Sequence, residues 1–176
     1  MAAQRLDMLV DLVDSSDRVI GTAKRRQILQ QNAGFRVAHV FVFNRAGDLL
    51  VQQIAQGLRH AGQWGSSVAG YLQAGETYRQ AAERKLRQEL GIAPVVVAHG
   101  KTSMADQSAL KFIELFTGLH DGPFSPNATE LNRVEFLSLP QIAAERTTAQ
   151  RVFTETFVHV LDFYLHAPPV APPLVP

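Results

Sequence analysis

Lys85, Gln88 and Glu89 stand at i, i+3 and i+4, a spacing that gathers three side chains on one face of a helix. Carboxylates gathered in this way can reach one magnesium ion together, because the ion takes oxygen ligands in a near-octahedral shell. The ion then neutralises a diphosphate and activates water for attack. In this chain the face carries one cation, one neutral amide and one acid, so its formal charges cancel. An ammonium roughly 5 Å from a divalent ion costs about 6 kcal/mol at an effective dielectric near 20, although a long lysine stem can swing away and relieve much of that. Glu89 offers one carboxylate and Gln88 a neutral carbonyl oxygen, enough for a weak single-ion site and too little for a tight multi-metal cluster.

The helix that presents this face spans 77–90. Tyr78, Ala82, Leu86 and Leu90 recur at four-residue steps as one apolar stripe, and Gly91 follows as a C-terminal stop. A loop rich in Gly and Gln precedes it and ends near Trp64. Further upstream, 8–13 and 18–21 flank the turn-forming run Asp14-Ser15-Ser16-Asp17 and predict a hairpin, and 24–31 predicts a short helix. The apolar, β-branched and aromatic runs 35–43 and 49–54 predict a second hairpin. Strands are expected at 95–99, 110–118 and 133–137, then a short helix opened by Pro140. A closing amphipathic helix follows from Thr147, marked by Phe153, Phe157, Val160, Leu161 and Tyr164. The final segment, APPVAPPLVP, is expected to be extended or disordered. The expected organisation is one domain over 1–166, with 1–34 as an N-terminal hairpin and short helix, and a Pro-rich tail over 167–176.

Composition narrows the function classes. A chain of 176 residues with 46% hydrophobic content fills one sizeable core. A net charge of +1 supplies no broad basic field for a nucleic-acid polymer. Cysteine is absent, which removes disulfides, thiolate zinc sites and cysteine nucleophiles. The start of the chain has no uninterrupted apolar run of signal or membrane-spanning length. The expectation is a cytoplasmic protein that acts on a small molecule, away from membranes.

Gly70, Glu76, Arg84, Leu86, Glu89, Gly91 and Ile92 fall at the intervals of the Nudix box, so the chain resembles the Nudix hydrolase superfamily. That box has glutamates where this chain has Lys85 and Gln88, which makes it degenerate. The flanking runs DLVDSSDRVIG, VAHVFVFNRAGDLLVQQ, QWGSSVAGYLQAGET and LHDGPFSPNATELNRVEFLSLPQI are similar to the isopentenyl-diphosphate-isomerase-like branch. The resemblance implies an α/β fold, the Nudix α/β/α sandwich with a mixed β-sheet. It implies that Glu76 and Arg84 brace the loop against the helix, that the Gly70 carbonyl reaches a metal, and that Glu89 and Glu76 hold Mg2+ or Mn2+, here weakly or not at all. Taken residue by residue, the plainer reading makes Glu76 a helix N-cap and Arg84 a partner of a surface acid; seven box positions in register weigh against it.

The resemblance also places a catalytic cysteine of the isomerases at Ala69, a metal histidine at Tyr71 and a glutamate pair at Ala109 and Lys111. Alanine cannot take a proton, so isomerase chemistry is disfavoured. Hydrolases of the branch commonly carry an arginine at the position of Ile54. His39 matches a metal histidine by context, and a hydrogen-bonded core histidine is the more economical reading. His159 and His166 are expected to face solvent. Trp64 and Phe35 are candidates for ring stacking, and Glu114 for a replacement acid in the cleft.

Two functions lead, ahead of a third reading as an interaction domain whose cleft has lost all ligand contact. One is a pyrophosphohydrolase acting on a nucleoside-diphosphate derivative through Glu89, Glu76 and Arg84, with Lys85, Gln88, Trp64 and Glu114 contacting the substrate. The other is a non-catalytic diphosphate-binding protein in which Lys85 takes the place of the metal. The N-terminal hairpin is available to form a homodimer.

Overall fold

The computed structural model describes residues 6–31 and 33–166. The expected Pro-rich tail over 167–176 lies outside the described residues. The first hairpin forms as the turn residues dictate: strands β1 (Leu9–Val13) and β2 (Val19–Lys24) pair antiparallel. The Asp14 carboxylate closes the turn by accepting from the Ser16 and Arg18 N–H groups at 2.8 and 3.0 Å. The next segment is a 3-10 helix over Arg25–Gln30.

Strand β3 (Gly34–Phe43) is the spine of the sheet. It runs parallel to β8 (Ala109–Leu119) from Phe35 opposite Lys111 to Phe43 opposite Leu119. Its other side is shared by three antiparallel partners in succession: β1 at Phe35, β6 (Val68–Tyr71) from Val37 to Val40, and β4 (Leu49–Ile54) at Phe43. Strand β4 carries β9 (Leu131–Leu137) and the two-residue β5 (Trp64–Gly65), and β7 (Val96–Asp106) pairs with β8. The sheet is therefore mixed.

Helix α1 (Tyr78–Leu90) covers one face. Its predicted stripe of Tyr78, Ala82, Leu86 and Leu90 is buried, joined by Ala81, against Ala38, Val40 and Leu72. Thr77 caps it in a capping box with Gln80, so Glu76 is not its cap, and Gly91 ends it at φ 69° with its N–H on the Arg87 carbonyl. The other face is covered by α2 (Leu139–Thr147) and α3 (Glu155–His166), whose Ile142, Phe157, Val160 and Leu161 pack on Phe41 and Leu115. This is the α/β/α sandwich with a mixed sheet.

Three boundaries differ from expectation. Strand β7 runs on to Asp106 because residues 100–105, though mostly without large apolar side chains, alternate between half-buried and exposed positions along an extended pairing with β8. Two short strands, β5 and β6, lie in a stretch too small and glycine-rich to announce them. The closing helix begins at Glu155, because the Thr154 hydroxyl accepts from the Phe157 N–H at 3.1 Å and starts it there.

Leu86 has no exposed surface at the middle of α1, and its truncation leaves a cavity that well-packed neighbours fill only in part. Leu86→Ala is expected to cost about 2–5 kcal/mol, while Arg87→Ala on the exposed face costs less than about 0.5 kcal/mol. Urea denaturation checks both, with the Leu86 variant moving the midpoint and leaving the slope unchanged.

Candidate functional site: a cavity beside a neutralised box

The turn before α1 is clamped to the helix by one guanidinium. Arg84 Nε donates to Glu76 Oε1 at 2.7 Å and Nη2 to Glu76 Oε2 at 2.8 Å, and Nη2 also reaches the Tyr71 carbonyl at 3.1 Å. The Gln73 N–H donates to Glu76 Oε2 at 2.9 Å, and Arg84 Nη1 donates to Gln88 Oε1 at 3.2 Å. Burial alone raises the Glu76 pKa, but the hydrogen bonds from Arg84 and Gln73 outweigh it and hold the carboxyl below its usual range.

Lys85 occupies the middle of the site and is only 8% exposed. Its ammonium is ion-paired with Glu89 Oε1 and lies 3.6 Å from Glu130 Oε2. The lysine stem crosses directly over Gly70, where an added Cβ would stand 2.7 Å from both Cδ and Cε, so a glycine is needed there for space. Glu130 is brought in by the loop that folds over the end of α1: the Ser125 N–H donates to the Leu90 carbonyl and the Asn127 N–H to the Glu89 carbonyl, both at 2.8 Å. An Asx turn, in which Asn127 Oδ1 accepts from the Thr129 N–H at 3.1 Å, shapes the approach.

This donor set does not fit magnesium. The Glu76 carboxylate is taken by Arg84, the Gln88 carbonyl oxygen by the same arginine, and Glu89 by the Lys85 ammonium. Among the described residues no group of three or more His, Cys, Asp or Glu converges on a point where an ion can sit.

A cavity of about 990 Å3 opens beside this cluster. Gly70, Arg84, Lys85, Gln88 and Glu130 lie on its box side. Across it stands a second polar group. The Lys111 ammonium donates to Asp106 Oδ2 and Thr156 Oγ1, each at 2.9 Å, and Arg59 Nη2 meets Asp106 Oδ1 at 2.9 Å. Burial raises the Asp106 pKa, yet these two cations overcome it and hold the carboxyl below its ordinary value. Tyr71, where the isomerase-like branch carries a histidine, stacks on Phe35 with centroids 5.2 Å apart and lies under the Arg25 guanidinium at 4.2 Å. Ile54 and Ala69 contribute aliphatic surface.

His39 also faces this cavity, 4% exposed, with Nδ1 2.8 Å from Ser66 Oγ. Burial, and then the Lys111 charge, push its pKa down to about 3. It is a neutral, hydrogen-bonded histidine of the wall.

Two predicted contact residues lie elsewhere. Trp64, a candidate for ring stacking, is 4% exposed and packed in the α3-side core, with the Arg151 and Arg133 guanidiniums 3.8 and 4.9 Å from its ring. Glu114 lines a separate cavity of about 440 Å3 with Asp11, Arg36, Tyr78 and Lys101, where burial raises its pKa. Alternation along a strand fixed that Glu114 left the core but not which side of the molecule it reached. His159 corrects a further expectation: it is half-buried, with Nε2 2.9 Å from Thr102 Oγ1. Glu130, Asp106, Arg59 and Lys111 as a cation were not singled out for the site. The first three sit on connections or at a strand end, far in sequence from the box, and only the turn residues Asn127 and Gly57 mark their surroundings.

The NUDIX domain family model matches residues 34–157. The chain belongs to the Nudix family. It is 33% identical over 164 residues to an isopentenyl-diphosphate Delta-isomerase of Streptomyces avermitilis, an alignment covering 88% of this chain and 82% of that protein. It is 30% identical over 162 residues to an uncharacterized Nudix hydrolase of Pseudomonas aeruginosa, covering 90% and 94%. The fold is similar to the crystal structure of DR0079 from Deinococcus radiodurans, with TM-score 0.78, 22% identity and coverage of 88% of this chain and 98% of that one. It is also similar to the Nudix domain of Shewanella oneidensis NrtR in complex with ADP-ribose, with TM-score 0.58, 14% identity and coverage of 74% and 85%. No described helix is long and apolar enough to cross a membrane.

Two outcomes follow from this Nudix site. Gly70→Ala is expected to push the Lys85 stem aside and cost about 1–3 kcal/mol, and the cost should shrink when Lys85 is also alanine, which a double-mutant cycle by denaturation measures. The second concerns acid. His39 takes up its proton near pH 6.5 in the unfolded chain but near 3 in the fold, so between those values the unfolded chain binds a proton that the fold excludes. Stability therefore falls as pH drops below 6.5, by up to about 1.4 kcal/mol per unit. His39→Gln should flatten that slope in urea denaturation at pH 7 and pH 5.

Proposed function

We propose that this Nudix protein binds a nucleoside-diphosphate derivative in the cavity beside α1 without a divalent ion and without hydrolysing it. The observation that carries the reading is the buried Lys85 ammonium, held by Glu89 and Glu130. A fixed ammonium neutralises carboxylates as an ion would, but it cannot lower the pKa of a bound water or polarise a phosphoryl oxygen as a Lewis acid. The ligand class rests on family membership and on a cavity of about 990 Å3 walled by arginine, lysine and an aromatic ring. It is supported by the ADP-ribose seen in the NrtR Nudix domain. The class of partner is a small molecule, and a cytoplasmic setting is part of the same proposal.

A second reading is hydrolysis of such a compound with Mg2+ or Mn2+ at a weakened site. One feature favours it: Glu89 and Glu130 already converge on the point that the ammonium fills, so both acids would face another cation placed there if the lysine stem left. Glu89 would then be the chief ligand, Gln88 a neutral one and the Gly70 carbonyl a third, with Arg84 and Glu76 bracing the loop. Isomerisation finds no support in the cavity, where Ala69 presents a methyl group and the chain has no cysteine, even though relatives at 33% identity bear that name.

Calorimetry with ADP-ribose in EDTA, beside a turnover assay with Mg2+ and Mn2+, tests the proposal. Binding in EDTA with no turnover is expected. Metal-dependent turnover that disappears in Glu89→Ala would replace it with the hydrolase. Removing the ammonium should expose the acids, so Lys85→Glu combined with Gln88→Glu is expected to raise Tm on addition of millimolar Mg2+, where the native protein shows no change.

A further inference from the structure

The two sides of the cavity differ in charge. On the box side, the charges of Lys85 and Arg84 are engaged by three carboxylates, those of Glu76, Glu89 and Glu130. On the opposite wall, Lys111 and Arg59 share the single carboxylate of Asp106, which leaves one positive charge in excess. The exposed Glu155 acts on Arg59 only as the weakest of the influences that set its pKa. A phosphate group entering this cavity is therefore drawn to the far wall, where cations outnumber carboxylates.

The donor count at that wall agrees. An ammonium has three N–H groups, and Lys111 gives one to Asp106 and one to Thr156. Arg59 has five, and among the described residues it hydrogen-bonds to Asp106, through Nη1 at 3.4 Å and Nη2 at 2.9 Å. Donors are thus left over on both residues, and both line the cavity. Lys111 is only 8% exposed, so a charge-assisted bond from it forms away from bulk water, where it is strongest.

Register fixes how far this wall lies from the box. Lys85 crosses Gly70, which is paired with Ala38, whereas Lys111 is paired with Phe35 on the other side of β3. The two backbone positions are separated by roughly 10 Å along the strands and roughly 10 Å across them.

We infer that Lys111 and Arg59, gathered on Asp106, form a phosphate subsite on the cavity wall opposite the Nudix box. A ligand's phosphoryl oxygens take the remaining donors of the two side chains, with the Arg25-covered Tyr71 ring beside them. The subsite deepens the proposed binding function and rests on it only for the remainder of the ligand.

Titration of inorganic pyrophosphate in EDTA, followed by calorimetry, tests it. The expected result is saturable binding that weakens about tenfold or more in Lys111→Met and in Arg59→Met, as loss of a hydrogen bond to a charged group predicts. The exposed control Arg45→Met should change affinity less than about twofold. Arg59, half-exposed, provides the variant that folds if Lys111→Met does not. Pyrophosphate that fails to bind, or that ignores both substitutions, would overturn the subsite. ADP-ribose separates the two proposals. If it fails to bind while pyrophosphate binding still depends on Lys111, the subsite stands and the functional reading falls. If it binds equally well to native protein, Lys111→Met and Arg59→Met, the subsite falls alone.

Discussion

A buried ammonium between two carboxylates fixes the geometry of the site. Lys85 comes from helix α1, Glu130 from the loop that closes over the end of that helix, and Gly70 beneath the lysine stem from β6. Three separate pieces of chain are thus joined at one charge. Such a cluster adds little net stability over an apolar one, but it penalises any arrangement that leaves a member alone, since an unpaired buried charge costs about 3–5 kcal/mol. The box helix, the strand and the loop are therefore held in one mutual register, and the cavity beside them inherits its shape from that register.

The short strand β6 explains how one cavity meets two unlike clusters. Successive residues on a strand point to opposite faces. Gly70 turns toward α1 and receives the lysine, while Tyr71, the next residue, stacks on Phe35 beneath Arg25. The same alternation on β3 sends Ala38 and Val40 into the α1-side core and leaves Val37 and His39 on the cavity wall. Four consecutive positions therefore build both a hydrophobic layer and part of the cavity wall.

How much of this was legible in the sequence depended on how local the cause was. The stripe of α1, its glycine stop, the Asp14 turn and the spacing of Glu76 and Arg84 are all encoded within a few residues, and each is visible in the chain alone. The second half of β7 was not, because its polar residues carry no apolar alternation and become strand only by pairing with β8. Glu130 and the Asp106, Arg59 and Lys111 group escaped for a related reason: each acquires its partner through tertiary folding, and nothing in its neighbourhood announces that partner. Trp64 looked like a stacking surface because an aromatic residue in a glycine-rich loop has no apolar period to assign it to a core. Its burial is decided by Phe153 and the arginines of two later segments.

That placement of Trp64 makes it an optical reporter. It is the chain's one tryptophan, enclosed by Arg133 of β9 and by Arg151, which precedes α3. Its indole emission therefore follows the closure of the C-terminal segment over β5. Events at the lysine-centred cluster, which belongs to other elements, leave that signal to a different part of the molecule.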